Sequence, residues 1–311
     1  MGSLRDLEFR LSVKRGELRE LLKSRAALYR PYTIPKKQHP YPGKVRRKKV
    51  QTEPTKYRKI DDPVRQLKDI QSRILRQILA HAELPAYMFG AVAGKTLVLH
   101  AQQHVRNQAS TVVRMDISSY YPNVTCAHVY YVWREVLHCP PRIAKLLTEL
   151  TTSERHLPQG APTSPAIANI FLASIYAPIC LTCELKAVTI TTWVDDLIFS
   201  GSAAREVMET VRKVLAQNGL KMAASKRQIL GPKTEKVITG ARLGGQRVRA
   251  THRKMSELRA SIHRLAIGLV PPTEIERYRK NLAARIAHVG SICKEDGEKL
   301  KALAKKKGVT L

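Results

Sequence analysis

Apolar residues recur along this chain at helical spacing in some segments and at strand spacing in others. After Asp62-Pro63 the apolar positions fall on one side of a helix, and this pair supplies the N-cap and first-turn residue types that begin one. The same spacing predicts the remaining helices, at residues 3–29, 124–138, 142–150, 204–218 and, with a break at 268–272, 252–306.

Short runs rich in β-branched residues predict strands between these helices. Such runs occur at 111–117, 188–194 and 197–199. The last two predict a hairpin. Residues 96–110 read as a short strand followed by a polar turn or helix, and residues 236–249 as a second hairpin that turns at Gly244-Gly245. Because helices and strands follow one another in mixed order, the chain is predicted to have an α+β fold.

Residues 30–60 differ from the rest of the chain in composition. Five prolines break helical order there, and seven lysines and arginines concentrate positive charge between residues 36 and 49. This composition predicts loops and a hairpin that face an anion, and a disordered basic linker is the alternative.

Residues 167–185 are apolar enough to suggest a membrane span. Asn169, Pro178 and two cysteines interrupt the stretch, and Ser164-Pro165 begins it with a helix cap. We therefore interpret it as a buried core helix. Since no apolar segment near the N-terminus suits a signal peptide, we expect a cytoplasmic protein with no membrane partner.

The chain is strongly basic. Its 55 lysines and arginines outnumber 25 aspartates and glutamates, which gives a net charge of +30 over 311 residues. Such a charge favours a polyanionic partner, above all nucleic acid, because a basic surface without one would repel itself.

The five cysteines are an odd number, which argues against a disulfide scaffold. Cys180 and Cys183 form a lone CxxC that fits two buried helix positions better than a redox or metal pair.

Two adjacent carboxylates, Asp195 and Asp196, stand between the two runs of the first predicted hairpin. Buried acids are unfavourable unless a cation meets them. Mg²⁺ is a natural candidate because it binds a few carboxylates together with phosphates and water. Asp116 ends another predicted strand, and three carboxylates on neighbouring strand ends can hold two metal ions for phosphoryl transfer.

Several segments around these acids resemble, in the same order, the motifs of reverse transcriptases. Four are similar to the palm motifs, namely DISSYYP at 116–122, LPQGAPTSP at 157–165, VDD at 194–196 and SKR at 225–227. Two upstream segments are similar to the fingers motifs, namely YTIPKK at 32–37 and RKIDDP at 58–63. The resemblance covers residues 30–270 and implies an RNA-directed DNA polymerase.

Two further segments resemble elements of bacterial retron reverse transcriptases. HAQQH at 100–104 is similar to the NAxxH element, with His100 in place of Asn. KVITG at 236–240 is similar to the VTG element, with Ile238 in place of Val. Trp193 occupies a position that is usually Tyr in the family, so the placement of the primer end is expected to differ.

The resemblance implies roles for individual residues. Ligation of two Mg²⁺ ions, for which Mn²⁺ is a possible substitute, is assigned to Asp116, Ile117, Asp195 and Asp196. Lys226 joins the catalytic aspartates, either as general acid on pyrophosphate or as a cation that neutralises phosphate. Binding of the incoming dNTP is assigned to Lys37, Arg58, Tyr121, Gln159 and Gly160. Binding of RNA and DNA is assigned to His100, His104, Trp193, Thr239, Gly240, Arg253 and Lys254.

These assignments have plainer alternatives. Tyr121 can instead be an ordinary core aromatic residue, and Gln159-Gly160 can be a simple turn. Arg58 and Lys37 can be solvated surface cations. His100 and His104 are four residues apart, so they can share a helix face. They can also form a weak metal pair or serve a structural role instead of contacting RNA.

The family resemblance implies a right-hand polymerase fold with fingers, a palm of antiparallel sheet plus helices, and a helical thumb. The implied segments are an N-terminal helical segment at 1–29, fingers at 30–110, a palm with finger insertions at 111–240, and a thumb with a basic tail at 241–311.

The retron resemblance further implies that a structured noncoding RNA serves as template and primer and is partly copied into single-stranded DNA from dNTPs. Priming from a 2′-OH would give the branched RNA–DNA product called msDNA, and a separate effector protein would link it to antiviral defence against phage. Three alternatives stay open. They are a reverse transcriptase of another bacterial lineage (intron-derived, diversity-generating or abortive-infection), a non-catalytic RNA-binding protein on a polymerase fold, and a basic nuclease. The sequence does not specify the RNA, the priming site, the product length or the oligomeric state.

Overall fold

The computed structural model describes residues 2–24, 27–35, 57–107 and 110–310. Helices and antiparallel strands form this part of the chain, as predicted for an α+β fold. The helices, in chain order, are α1 (Leu4–Arg10), α2 (Glu17–Lys23), α3 (Arg65–Gln77), α4 (Leu97–Gln102), α5 (Tyr120–Asn123), α6 (Cys126–Tyr131), α7 (Pro141–Thr151), α8 (Ser164–Ile175), α9 (Ala177–Leu185), α10 (Val207–Gln217), α11 (His252–Ala266), α12 (Ile275–Ile292) and α13 (Lys294–Lys306). The strands are β1 (Tyr29–Pro35), β2 (Tyr57–Pro63), β3 (Thr111–Asp116), β4 (Thr189–Trp193), β5 (Asp196–Gly201), β6 (Gln228–Leu230), β7 (Val237–Ile238), β8 (Ala241–Gly244) and β9 (Arg247–Ala250).

The chain divides into two compact units. The first unit comprises Met1–Pro85, Ser118–Ala177 and Ala216–Leu220. The second unit comprises Ala86–Ile117, Pro178–Leu215 and Lys221–Leu311. The boundaries of the fingers, palm and thumb stay predictions.

The first unit contains the antiparallel pair of β1 and β2. Asp62 pairs with Arg30 and Pro63 pairs with Tyr29, so both residues belong to β2. The helix that follows, α3, begins only at Arg65. The predicted helix start at Asp62-Pro63 is therefore wrong, because pairing with β1 keeps both residues in a strand.

The N-terminal segment forms two helices, α1 and α2, where the sequence predicted one helix over residues 3–29. Ser12 and Gly16 lie between them with left-handed φ angles of 50° and 82°. The backbone N–H of Gly16 donates to the carboxylate of Glu8 at 2.8 Å, and Glu8 is buried. A continuous helix is wrong here because left-handed residues interrupt the helical hydrogen-bond ladder.

The helices predicted at 124–138 and 142–150 are present in the first unit. α6 continues directly into a π-helical segment, Val132–Val136, which buries Trp133, and α7 begins at Pro141. The single helix predicted at 167–185 is instead a pair, α8 and α9, that meets at Tyr176. No single helix in the described ranges is long and apolar enough to cross a membrane, and α8 with α9 meets the length and composition criteria only as a bent pair.

The second unit is built on a four-stranded antiparallel sheet in the order β4-β5-β3-β6. β4 and β5 form the predicted hairpin, and β3 pairs with β5 on one side and β6 on the other. Residues 97–102 form α4, so the short strand predicted there is wrong. The side chain of Thr96 accepts a hydrogen bond from the N–H of Leu99 at 3.2 Å and thereby begins that helix.

The C-terminal part of the second unit contains a small sheet and three long helices. β7, β8 and β9 pair in sequence order. The predicted turn at Gly244-Gly245 is shifted by one residue, because Gly244 pairs with Arg247 as the last residue of β8 and the turn is formed by Gly245 and Gln246. α11, α12 and α13 pack around a common apolar core that includes Leu258, Ile262, Leu282, Ile286 and Leu300. Asp296 on α13 is 4% exposed and accepts hydrogen bonds from Arg249 at 2.5 Å and from the N–H of Ala250 at 3.1 Å, which fastens α13 to β9.

Candidate active site

The three predicted catalytic aspartates lie at one end of the four-stranded sheet in the second unit. Asp116 is the last residue of β3 and lies directly opposite Asp196, the first residue of β5. Paired residues on adjacent antiparallel strands project to the same face, so these two carboxylates share a face. Asp195 lies in the two-residue turn that joins β4 to β5, so unlike Asp196 it is not a strand residue.

The turn that carries Asp195 is conformationally unusual. Val194 has a φ of 58°, in the left-handed region that a β-branched residue rarely adopts. A positive φ at the first central residue alone is the pattern of a type II′ hairpin turn, in which glycine is preferred at that position. The structure around Val194 must therefore hold the turn against local strain.

Backbone hydrogen bonds fix the ends of the strands that carry the acids. The N–H of Ile117 donates to the carbonyl of Asp195 at 3.0 Å, which ties the end of β3 to the turn. The N–H of Ala223 donates to the carbonyl of Asp116 at 2.8 Å. The segment before Lys226 is thus attached to the residue whose carboxylate Lys226 contacts.

The electrostatic environment of the acids is dominated by burial and by their mutual repulsion. Burial raises the pKa of the Asp195 carboxyl to about 6, and the charges of Asp116 and Asp196 act in the same direction. Burial also raises the pKa of Asp196, against the lowering effect of the Arg114 charge. The ammonium group of Lys226 lies 2.7 Å and 2.8 Å from the two carboxylate oxygens of Asp116.

These acids fit a divalent cation by donor type and by charge, because a positive ion would relieve the repulsion that raises the pKa of Asp195. Within the ranges that the structure describes, no three His, Cys, Asp or Glu side chains converge closely enough to hold a metal ion. Both oxygens of Asp116 already contact Lys226, so an ion bound by Asp116 would have to share or replace that contact.

Arg114 and Gly90 contribute to the site but were missed by sequence reasoning. The guanidinium of Arg114 lies 3.9 Å from the Asp196 carboxylate. Alternation along β3 places Arg114 on the same face as Asp116, and that signal was present in the sequence. Gly90 lies against the backbone of Val194, a close approach that no local sequence pattern reveals.

The residues assigned to RNA and DNA take up different positions in the second unit. The rings of His100 and His104 are both 0% exposed and contact hydroxyl groups inside the unit, so the predicted nucleic-acid contact is corrected to the structural alternative. Trp193 is half-buried, and its ring stacks on that of His100 with centroids 5.4 Å apart. Thr239 has a φ of 45° and is half-buried, and Gly240 beside it is exposed.

Two of the assigned nucleic-acid ligands lie on α11. Arg253 is exposed and pairs with Glu257 at 2.7 Å. Lys254 is half-buried, and burial lowers the pKa of its ammonium, with the charge of Arg285 acting in the same direction. Both side chains keep a cation at the surface of this helix.

The residues assigned to the dNTP lie in the first unit, apart from Lys37, which falls outside the described residues. Arg58 is exposed on β2. The carbonyl of Gln159 accepts a hydrogen bond from the N–H of Asp61 at 2.8 Å. Gly160 has a φ of 121°, and a Cβ built there would lie 3.0 Å from Ile60. The structure therefore holds the Gln159-Gly160 loop directly against β2, the strand that carries Arg58.

Asp61 anchors this loop and was also missed by sequence reasoning. Its carboxylate is buried and lies 3.4 Å from the ammonium of Lys59 and 3.5 Å from a ring nitrogen of His156. Lys59 in turn contacts Glu154 at 2.6 Å. Tyr121, the remaining predicted dNTP ligand, is half-buried with its ring 6.0 Å from that of Tyr120.

A comparison with protein-family models matches residues 34–244 to the family described as reverse transcriptase (RNA-dependent DNA polymerase). The chain belongs to the reverse transcriptase family. The match includes Asp116, Asp195, Asp196 and Lys226. The predicted polymerase fold and enzyme class are thereby confirmed, and divalent metal ions are the general requirement of this family.

Curated relatives of this reverse transcriptase include several retron enzymes. The Retron Ec86 reverse transcriptase of Escherichia coli is 27% identical over 282 residues, which are 90% of this chain and 82% of that protein. The Retron Mx65 reverse transcriptase of Myxococcus xanthus is 26% identical and aligns with 79% of this chain and 61% of its own. The Retron Se72 reverse transcriptase of Salmonella heidelberg is 29% identical and aligns with 55% of this chain and 40% of its own. The predicted resemblance to retron reverse transcriptases is confirmed.

Among solved structures, apo telomerase from Candida Tropicalis truncated from the C-terminal domain aligns with 63% of this chain and 53% of its own. The TM-score is 0.43 and the sequence identity is 10%, which is too low to support an argument about function.

Proposed function

We propose that this reverse transcriptase is of the retron type and copies part of a structured noncoding RNA into single-stranded DNA. Priming from a 2′-OH of the same RNA would give a branched RNA–DNA product, msDNA, that acts with a separate effector protein in defence against phage in the cytoplasm. The retron relatives and the two retron-like segments at 100–104 and 236–240 support this proposal.

One observation carries the polymerase assignment. Asp116 and Asp196 project from the same face of two paired strands, and Asp195 lies in the adjoining turn. The repulsion between these charges is unfavourable for the folded protein alone, which is expected of a site that receives a cationic partner. A binding-only protein would gain nothing from it.

Asp116, Asp195 and Asp196 are the side chains that would hold two Mg²⁺ ions, with Mn²⁺ as a substitute and Ile117 contributing beside Asp116. Bound metal would supply a lowered pKa for the attacking hydroxyl and neutralisation of the charge on the leaving pyrophosphate. Arg114 would hold the Asp196 carboxylate in orientation from 3.9 Å.

Lys226 can exchange its contact with the Asp116 carboxylate for a contact with the phosphate of a substrate. Its ammonium group contacts Asp116 and is about half exposed, with a side-chain exposure of 49%. On substrate binding it would donate to a phosphate oxygen of the triphosphate, and it is positioned by the backbone link from Ala223 to Asp116 to protonate or neutralise pyrophosphate.

Arg58 on β2 and Lys37 would bind the triphosphate. The loop of Gln159-Gly160, fixed against β2 by Asp61, would contact the base or sugar of the incoming nucleotide. Tyr121 would stack under the sugar and exclude a 2′-OH, which selects dNTPs over NTPs.

The basic surface of the second unit would bind the RNA and its DNA copy. Arg253 and Lys254 on α11 present cations suited to phosphate oxygens. An A-form duplex is recognised mainly through its shape, phosphates and 2′-OH groups, so binding would depend strongly on salt.

Substitution of Asp195 by Asn tests the proposed activity. The change keeps the size of the side chain and removes its negative charge, so incorporation of dTTP on an oligo(dT)-primed poly(rA) template should be lost while binding of that duplex is retained. Glu276→Gln is the matched control, because Glu276 is 83% exposed and pairs only with Lys280 among the contacts described.

Full activity in the Asp195→Asn variant would overturn the site assignment. An unmodified protein that binds the duplex but incorporates nothing would favour a non-catalytic RNA-binding protein. Release of short products without dNTPs would favour a nuclease.

A further inference from the structure

The buried rings of His100 and His104 share one hydroxyl group. The Nε2 atoms of both rings lie 2.7 Å from Oγ1 of Thr191, which is on β4. The other ring nitrogens reach two more hydroxyl groups. Nδ1 of His104 lies 2.7 Å from Oγ of Ser200, and Nδ1 of His100 lies 3.3 Å from Oγ1 of Thr239.

The two ends of this arrangement fix the direction of its hydrogen bonds. At one end the amide nitrogen of Asn107 donates to Oγ1 of Thr189 at 2.8 Å and to the backbone carbonyl of Ser200 at 3.2 Å, which sets the amide orientation. Oγ of Ser200 lies 3.2 Å from the same nitrogen, which can offer it a donor but no acceptor. At the other end the hydroxyl of Thr239 donates to the carbonyl of Leu97 at 3.4 Å. A carbonyl only accepts, so both ends are determined.

One direction satisfies every group between these ends. The hydroxyl of Ser200 donates to Nδ1 of His104, and the Nε2–H of His104 donates to Thr191. The hydroxyl of Thr191 then donates to Nε2 of His100, and the Nδ1–H of His100 donates to Thr239. In the opposite direction the hydroxyl of Ser200 would have no acceptor among its contacts, which is costly for a buried polar group.

The two histidines must therefore be neutral and carry opposite tautomers, with the proton on Nε2 in His104 and on Nδ1 in His100. Burial lowers the pKa of His104 to about 3 and that of His100 to about 4, in agreement with a neutral pair. A second proton on either ring would make its accepting nitrogen a donor that faces the hydroxyl proton of Ser200 or Thr191, and the chain of hydrogen bonds would be broken.

These bonds connect the segments that form the active site. Thr191 and Ser200 are on the two strands of the catalytic hairpin, His100 and His104 come from α4 and the turn after it, and Thr239 comes from the loop between β7 and β8. The ring of His100 also stacks on Trp193, two residues before Asp195. We propose that His100 and His104 are positioning residues for the catalytic hairpin, held by a unidirectional chain of hydrogen bonds through Thr191.

The expected effect on the rate rests on the proposed polymerase function, whereas the hydrogen bonds themselves do not. Thr191 is the central residue, since both rings contact its hydroxyl group. Thr191→Val keeps the shape and removes the hydroxyl, whereas Thr191→Ser keeps the hydroxyl and removes a methyl group. The pair therefore separates hydrogen bonding from packing.

The first readout is the tautomer of each ring, measured by ¹⁵N NMR of histidine-labelled protein and assigned with single His100 and His104 variants. The wild type and Thr191→Ser should show the Nε2–H form of His104 and the Nδ1–H form of His100, and Thr191→Val should lose this pattern. The same tautomer on both rings in the wild type would overturn the proposal, even if the Thr191→Val variant did not fold.

The second readout is dTTP incorporation on oligo(dT)-primed poly(rA). Thr191→Val should lower kcat by roughly 10- to 100-fold with little change in duplex binding, because a displaced catalytic group loses rate rather than affinity. Thr191→Ser should keep a kcat close to that of the wild type. Equal rates in the two variants would overturn the positioning role, whereas a wild type without incorporation but with opposite tautomers would overturn only the proposed function.

Discussion

The close approach of Gly90 to the catalytic turn gives the sharpest prediction. Gly90 follows a segment that pairs with β4, in which the N–H of Phe89 donates to the carbonyl of Thr192 at 3.0 Å. A Cβ built on Gly90 would lie 2.6 Å from the backbone nitrogen of Val194 and 2.8 Å from the carbonyl carbon of Trp193. Both neighbours are backbone atoms, so no side chain can rotate away.

The magnitude follows from the distances. Ordinary van der Waals contact begins at 3.4 Å, so Gly90→Ala must displace the turn or its support by about 0.8 Å. Overpacking of this kind costs about 1–3 kcal/mol of stability. A misplacement of about 1 Å in a catalytic group can cost on the order of 100-fold in rate. Because the displaced turn carries Asp195, the variant enzyme should lose most of its activity.

The assay is dTTP incorporation on oligo(dT)-primed poly(rA), with duplex binding and thermal unfolding measured in parallel. Gly90→Ala should lower kcat by roughly 10- to 100-fold and leave duplex binding nearly unchanged. Gly231→Ala is the control, because nothing lies within 4 Å of a Cβ at Gly231. Wild-type incorporation by Gly90→Ala, with unchanged thermal stability, would refute the reasoning.

Two other predictions concern stability and nucleotide binding. Gly297→Ala should lower the free energy of unfolding by about 1–3 kcal/mol in denaturant titrations, because its Cβ would lie 2.6 Å from the Cα of Gly290 across α12 and α13. Gly290→Ala, whose Cβ would lie 3.9 Å from Gly297, should be tolerated, and equal stability of the two variants would contradict the packing argument. Asp61→Asn should raise the KM for dTTP, because it weakens the buried contacts of the Asp61 carboxylate with Lys59 and His156 and so loosens β2 beside the Gln159-Gly160 loop, although the backbone hydrogen bond from Asp61 to Gln159 is kept. Asp62→Asn is its control, and an equal KM in both variants would show that Asp61 has no positioning role.

The catalytic hairpin could be predicted because its signals are local. Short β-type runs on both sides of Asp195-Asp196 favour strands, and a two-residue connection between them leaves little choice of turn. Asp116 could be placed for the same reason, as the last residue of a buried strand. The family resemblance then assigned the three acids to one site, which spacing alone does not establish.

Local signals failed where distant pairing overrode them. Asp62-Pro63 has the composition of a helix start, yet both residues pair with β1, so the helix begins three residues after Asp62. The short strand expected before Asp116 is a helix because Thr96 caps it. The first outcome is not contained in the residues of the segment itself, whereas Thr96 was a local signal for the second.

Apart from Arg114, the supporting residues of the site could not be predicted. The sequence placed His100 and His104 on a shared helix face and left RNA contact, a metal pair and a structural role open. Their burial depends on Thr191 and Ser200, which lie about 90 residues further along the chain. The role of Gly90 depends on a backbone that returns to within van der Waals distance of it. Such contacts become visible only when the strands are paired.

We propose that this reverse transcriptase makes DNA from one specific noncoding RNA. The most direct measurement is to purify the full-length protein from its native host and to sequence the nucleic acid that accompanies it. We expect one abundant RNA joined to a short complementary single-stranded DNA through a branch at a 2′-OH. Diverse or intron-like RNA, or RNA without any DNA, would contradict it.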